Sequence, residues 1–193
     1  EILVTLQTHC RAKDGATTFY HKDVAQLLSH PYITDICGDV AREKIKEIAT
    51  KRVIMVEDRL LNEAIKDKNY GTATEIERAK SILSKLFVDA KAIELAQTDG
   101  EQECGWKKLA HYIVDVLNTI SALQDFNVFD SDNYNNEHRL LVANEITKLV
   151  NLIEACKIPL STEIFVSLLR RHLQTISIPY EGKPLDGLQI LGI

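Results

Sequence analysis

The sequence predicts a mainly α fold, a bundle-like set of helices with one short strand at the C-terminal end. Apolar residues recur at three- and four-residue spacing through most of the chain. Residues that cap helices stand just before several of these stripes. Strand-like runs are few: VIMV at 53–56 and GLQILGI at 187–193.

Residues 1–8, EILVTLQT, read as the tail of a helix that began earlier, followed by a polar loop around Lys13, Asp14 and Gly15. In FYHKDVAQLLSHPYI (19–33), Val24, Leu27 and Leu28 form a short helical stripe. Pro31 ends it, because a proline pushes the residue before it out of helical geometry. From Asp39 to about Lys51, Val40, Ala41, Ile45, Ile48 and Ala49 line one face of a helix. VIMV is β-branched enough for a short strand or an extended link, and DRLLNEAIKDKN reads as a short helix ending at Gly71.

Thr74 and Glu77 make a capping-box pattern, in which each side chain can satisfy the other's free N–H. A stripe follows through Ile76, Ala79, Leu83, Leu86, Phe87, Ala90 and Ile93. Thr98 and Glu101 repeat the box before Trp106, Leu109, Ala110, Ile113, Leu117 and Ile120. Phe87 and Trp106 are expected on facing stripes. DFNVFDSDNYNN (125–136) is a polar turn, after which Val142, Ile146, Leu149, Val150 and Ile153 point inward from a long helix. Ser161 is an N-cap, with Leu160 and Phe165 placed for a hydrophobic staple. Ile164, Phe165, Leu168 and Leu169 then face the core. The pattern divides the chain into a helical domain, 1–177, and a strand segment, 178–193, with no partner inside the chain except VIMV. An unpaired strand of this kind exposes its edge, so any dimer would be a product of truncation.

Composition limits the function. The chain has 193 residues, a net charge of −5 and 45% hydrophobic residues, ordinary for one globular core. Nothing global draws it to nucleic acid, although a local basic face can coexist with an acidic whole. No apolar run approaches the roughly 20 residues of a membrane span, and no signal peptide is visible. Cys10, Cys37, Cys104 and Cys156 are scattered and offer no paired zinc ligands, which points to reduced thiols and a cytoplasmic setting.

No constellation for catalysis stands out, and no cofactor or metal site is expected. Phosphate-cradling loops, GxSxG and HExxH are absent. His21 and His30 flank one short helix and cannot share a metal as an i, i+4 pair could. Asp89-Ala90-Lys91 spells half of a metal-dependent nuclease signature, but that chemistry needs adjoining strands, and the tripeptide falls inside a helical stripe. Basic residues cluster mildly at Lys44, Lys46, Lys51 and Arg52, and again at Arg170, Arg171 and His172. A solvated helix face is the usual meaning of such charges. The sharper meaning is contact with a DNA backbone, with Lys44, Lys51, Arg52, Arg170 and Arg171 as the candidates.

Two stretches carry a resemblance. FYHKDVAQLLSHPYI resembles the segment of AddB- and RecB-like helicase–nuclease proteins in which a helix ends in an "hPxh" corner. IPYEGKPLDGLQILGI (178–193) resembles the strand entering a late helicase motif of the second RecA-like domain. The chain is thereby similar to bacterial PD-(D/E)XK nuclease family proteins with an inactivated superfamily-1 helicase region. The resemblance brackets almost the whole chain, and its middle matches only in being helical. It implies a non-catalytic accessory insertion of a DNA-repair helicase/exonuclease-like protein, with neighbouring RecA-like and nuclease domains as partners and DNA reached through the parent protein. Nucleotide-binding residues would lie upstream and nuclease carboxylates downstream, and neither set transfers to a position here. The competing reading is a free-standing helical adaptor that binds another protein through an apolar groove.

Overall fold

A computed structural model describes residues 1–13, 16–62, 73–88, 105–123 and 132–176. Among the described residues the fold is mainly α, as the sequence predicts, with nine helices and one three-stranded antiparallel sheet. Helix α1 (Ile2–His9) leads into a hairpin of β1 (Arg11–Lys13) and β2 (Ala16–Tyr20), then α2 (His21–Leu28), α3 (Pro31–Cys37) and α4 (Asp39–Lys51). Strand β3 (Met55–Glu57) and helix α5 (Asp58–Asn62) follow. Helices α6 (Ala73–Leu86), α7 (Gly105–Leu123), α8 (Asp132–Ala155) and α9 (Thr162–Thr175) complete the described chain.

The hairpin corrects the reading of the stretch around Lys13 as a polar loop: Lys13 ends β1, and Ala16–Tyr20 form β2. Thr17, Thr18, Phe19 and Tyr20 are β-branched or aromatic and suit a pleated strand. Phe19 is fully buried and pairs with Val56 of β3, so VIMV joins this sheet through β2. The expected strand at 178–193 lies outside the described residues, as do the second capping box at Thr98 and Glu101 and the tripeptide Asp89-Ala90-Lys91.

Pro31 does more than end a helix. It occupies the first turn of α3, where its missing N–H costs nothing and its fixed φ suits the helix. The Nδ1 of His30 caps the turn by accepting from the Tyr32 N–H at 3.4 Å. Gly38 links α3 to α4 with φ 52° and ψ −128°, a conformation open essentially to glycine alone. Helix α4 has the bounds its stripe predicts, but its buried face reads Val40, Ala41, Lys44 and Ile48, and Ala49 is exposed.

Helix α6 begins at Ala73, so Thr74 lies inside it and is not its N-cap. It ends at Leu86, short of the predicted run to Ile93, whose residues from 89 onward lie outside the described set. Tertiary partners hold this end. Tyr112 Oη donates to the Leu86 carbonyl at 2.7 Å, and Gln7 Nε2 donates to the Val88 carbonyl at 2.8 Å. Phe87 and Trp106 are both buried, but each meets a different ring: Phe87 packs edge-on against Phe19 (centroids 5.4 Å apart) and Trp106 lies tilted against Phe165 (5.3 Å).

Helix α8 starts at Asp132, inside the stretch read as a polar turn. Its far end closes in a Schellman arrangement: Lys157 is left-handed at φ 51°, and the Ile158 N–H reaches back to the Ile153 carbonyl at 3.4 Å. Ser161 then caps α9, its Oγ accepting from the Ile164 N–H at 3.4 Å. Among the described residues helix α9 packs chiefly on α7 and α8, which cover one of its stripes. Phe165 and Leu169 are buried, whereas Ile164 and Leu168 are 52% and 40% exposed, against the expectation that all four face inward.

Candidate functional site

The five basic residues singled out as DNA-backbone candidates do not form one cluster. Lys44 and Lys51 sit on α4 and Arg52 just after it, and α4 packs against α2, α3 and α6. Arg170 and Arg171 sit on α9, which rests on α7 and α8.

Lys44 is 5% exposed and occupies a core-facing position between Val40 and Ile48. Its Nζ donates to the Leu60 carbonyl at 2.6 Å and lies 3.5 Å from Glu47 Oε2. Its ammonium is thus spent inside the protein, tying α4 to α5, and is not turned toward a phosphate. Lys51 reaches Glu47 Oε1 at 2.7 Å. The hydrogen bond from Lys51 leads the effects that hold the Glu47 carboxyl below its ordinary pKa, with the charge of Lys44 adding to it. Arg52 is exposed and left-handed (φ 49°, ψ 34°) at the C-cap of α4. Arg170 Nε meets Glu1 Oε1 at 2.9 Å, and Arg171 is exposed. A basic face is therefore reduced to Lys51 and Arg52 at one end of α4, and to Arg170 and Arg171 on α9.

The larger feature is one that residue-by-residue reading could not locate. An open groove of about 630 Å³ runs between α1, α7, α8 and α9. One wall is the half-buried Ile2, Leu3 and Val4 of α1, the other Leu169 and Leu173 of α9. Val116, Leu117 and Ile120 of α7 and Ile146 of α8 line its interior, and Leu27, His30, Tyr32 and Ile33 extend it under α2 and α3. Glu1 and Arg170 both line a smaller cleft of about 350 Å³, bounded by the same α1 and α9 walls. The apolar stripe of α9 is visible in the sequence, but periodicity shows only that a stripe exists, not that the described residues leave it partly uncovered.

Several polar groups elsewhere are engaged in structure. Asp23, in the first turn of α2, is 7% exposed and pairs with His9 Nδ1 at 2.6 Å, which fastens the end of α1 to α2. His172 Nε2 and Lys148 Nζ both approach Glu145, at 3.2 and 2.7 Å, and the hydrogen bond from Lys148 leads in lowering that carboxyl's pKa. Burial pushes the Cys37 thiol up to about 12, so it is an inert core group. Among the described residues no group of three metal-ligating side chains comes together, and no helix is long and apolar enough to cross a membrane. No family model matches the chain, and no curated protein or solved structure is detectably similar to it.

Proposed function

We propose that the helices form a non-catalytic accessory unit inserted into a larger DNA-repair protein of the helicase–exonuclease kind, serving as scaffold and contacting DNA backbone at its exposed basic residues. One observation carries the reading from the structural side. The first and last described helices, α1 and α9, are joined by the 2.9 Å ion pair between Glu1 and Arg170. The first and last described helices are thereby held side by side, which supports the insertion reading because a unit whose ends lie close together can sit within another domain without straining either. The resemblance of residues 19–33 and 178–193 to AddB- and RecB-like proteins supplies the identity of the host, and it stands on those two stretches alone.

Two measurements test this. Purified chain incubated with ATP, Mg²⁺ or Mn²⁺ and labelled DNA is expected to give no product above a protein-free control. Reproducible, dose-dependent product would overturn the non-catalytic reading. The coding sequence on either side is expected to carry a RecA-like nucleotide-binding region upstream and clustered nuclease carboxylates downstream, and their absence would overturn the host assignment.

The adaptor reading is favoured by a different observation, the apolar groove itself. An open groove of about 630 Å³ walled by Ile, Leu and Val side chains has the character of a surface that takes the apolar face of an amphipathic helix.

A further inference from the structure

We infer that single-stranded DNA lies across the outer face of the small sheet, its bases stacking on the rings of His9, Tyr20 and His21. The inference rests on the DNA-backbone contact of the proposed function and adds to it the form of nucleic acid and the surface that takes it.

The ladder decides which side chains share that face. Residues opposite each other in an antiparallel pair point to the same side of the sheet. Phe19 and Val56 are such a pair, and both are fully buried. Tyr20 and Met55, one residue on, therefore point outward, as do Thr18 and Glu57, and Arg11 stands opposite Thr18 on β1. Two imidazoles meet the half-buried Tyr20 edge-on, His9 with ring centroids 6.2 Å apart and His21 with 4.7 Å. Each imidazole is pinned by its Nδ1: His9 to the buried Asp23 carboxylate at 2.6 Å, and His21 as donor to the Ile54 carbonyl at 3.1 Å. The same carbonyl accepts from the His21 backbone N–H at 3.0 Å, which fixes the corner between β2 and α2. The three rings are thus held in place before any ligand arrives.

Rings and charge together select the ligand. In an edge-to-face pair one ring presents its edge and keeps its own faces unstacked. A nucleobase fits such a face whatever its identity, because every base has a π-face. In a duplex those faces are already stacked inside the helix, so a single strand is the form that offers them to a surface ring. Cations bracket the rings and suit the phosphates between bases. The exposed Lys22 follows His21 directly, and the exposed Arg52 stands two residues before Ile54. On the β1 side the exposed Arg11 lies two residues beyond His9. Glu57 is exposed on the same face, but in the row of Arg11 and Thr18, so a route over Tyr20 and Met55 passes beside it. Ile54, 67% exposed beside His21, adds an apolar contact for a sugar or base edge. The chain's net charge of −5 does not oppose a local contact, because salt screens charges more than about 8–10 Å away.

The test is fluorescence anisotropy of the 193-residue chain with a labelled oligothymidylate of about 15 nucleotides and with a duplex of the same length. The single strand is expected to bind more tightly than the duplex. Tyr20→Leu keeps apolar bulk in the sheet and removes the ring. It is expected to weaken single-strand binding by about 5- to 150-fold, the equivalent of one stacked base, while Tyr20→Phe binds as the parent chain does. Arg11→Ala combined with Lys22→Ala, both at exposed positions, keeps the inference testable if Tyr20→Leu fails to fold. In that protein the slope of log affinity against log salt is expected to become shallower by about 0.7 for each phosphate no longer neutralised. Unchanged single-strand binding by a folded Tyr20→Leu, an unchanged salt slope in the doubly substituted protein, or a duplex bound as tightly as the single strand would each overturn the stacking surface. Each would leave the backbone contact standing on Arg52 and Arg171. Failure to bind either form of DNA would overturn that contact as well.

Discussion

Tyr112 Oη donates a 2.7 Å hydrogen bond to the carbonyl oxygen of Leu86, the last residue of α6. The bond is buried and joins α7 to the end of α6, where a helix leaves its final carbonyls without partners. Tyr112→Phe keeps the ring and strands that carbonyl. It is expected to cost about 1–3 kcal/mol in urea unfolding, the usual penalty for a buried polar group left unpaired. An unchanged midpoint would mean that water replaces the phenol.

The same residue predicts an alkaline transition. Burial raises the Tyr112 pKa from 10.0 to about 12. Its neutral form is favoured in the folded state, so its contribution to stability is fully present below pH 10.0 and falls away as pH rises through about 12. Tyrosinate absorbance in the near ultraviolet is expected to include a late step toward pH 12 that is missing in Tyr112→Phe. A variant with an identical titration curve would contradict the burial of this phenol.

Phe87→Ala is expected to cost about 3–5 kcal/mol, because removing a fully packed aromatic forfeits its transfer energy and leaves a cavity. Phe19, whose ring centroid lies 5.4 Å away, is the partner that a double-mutant cycle would couple to it, by about 0.5–1.5 kcal/mol. A cost for Phe87→Ala under roughly 1 kcal/mol would show the position to be poorly packed.

How much of this was legible in the sequence varies by element, for physical reasons. Helix α4 and the Ser161 cap could be read because their signals are local: a stripe at i, i+4, i+8, and a hydroxyl three residues from a free N–H. The hairpin could not, because strands of three and five residues offer too few alternations to outweigh the helical pattern that follows. The cue that was present, Asp14-Gly15 between β-branched and basic residues, is a turn signal of the kind hairpins use. Lys44 shows the limit from the other side. Its spacing from Val40 and Ile48 put it on the buried stripe, while its charge argued for the surface, and only the Leu60 carbonyl opposite decides between them. The groove depends on which stripes meet which, a long-range fact that no local pattern holds.

Gly38 offers a separate test of the backbone. A methyl group there would meet no atom within 4 Å, so Gly38→Ala isolates the conformational cost of φ +52°. The expected destabilisation is about 1–3 kcal/mol, as for other residues held in sparsely populated regions. A neutral result in thermal or urea unfolding would mean that the α3–α4 link relaxes to another conformation.

The basic residues separate into structural and surface roles, and that separation can be measured. Lys44→Ala removes a buried ammonium from the Leu60 carbonyl and is expected to cost about 1–3 kcal/mol of stability. At temperatures where the variant stays folded, its DNA affinity is expected to match that of the parent chain, since Lys44 Nζ faces inward. Arg52→Gly is the opposite case. A non-glycine residue in the left-handed region carries a cost of about 1–2 kcal/mol, so glycine at this C-cap is expected to hold or raise stability while deleting an exposed charge. Paired with Arg171→Ala, it is expected to weaken binding to unrelated DNA sequences alike. For every phosphate that is no longer neutralised, the slope of log affinity against log salt is expected to become shallower by about 0.9. Fluorescence anisotropy across a salt series reads both quantities. Weaker binding by Lys44→Ala alone, with Arg52→Gly and Arg171→Ala unaffected, would overturn the proposal that the exposed arginines face DNA and point to an inner surface that opens on binding.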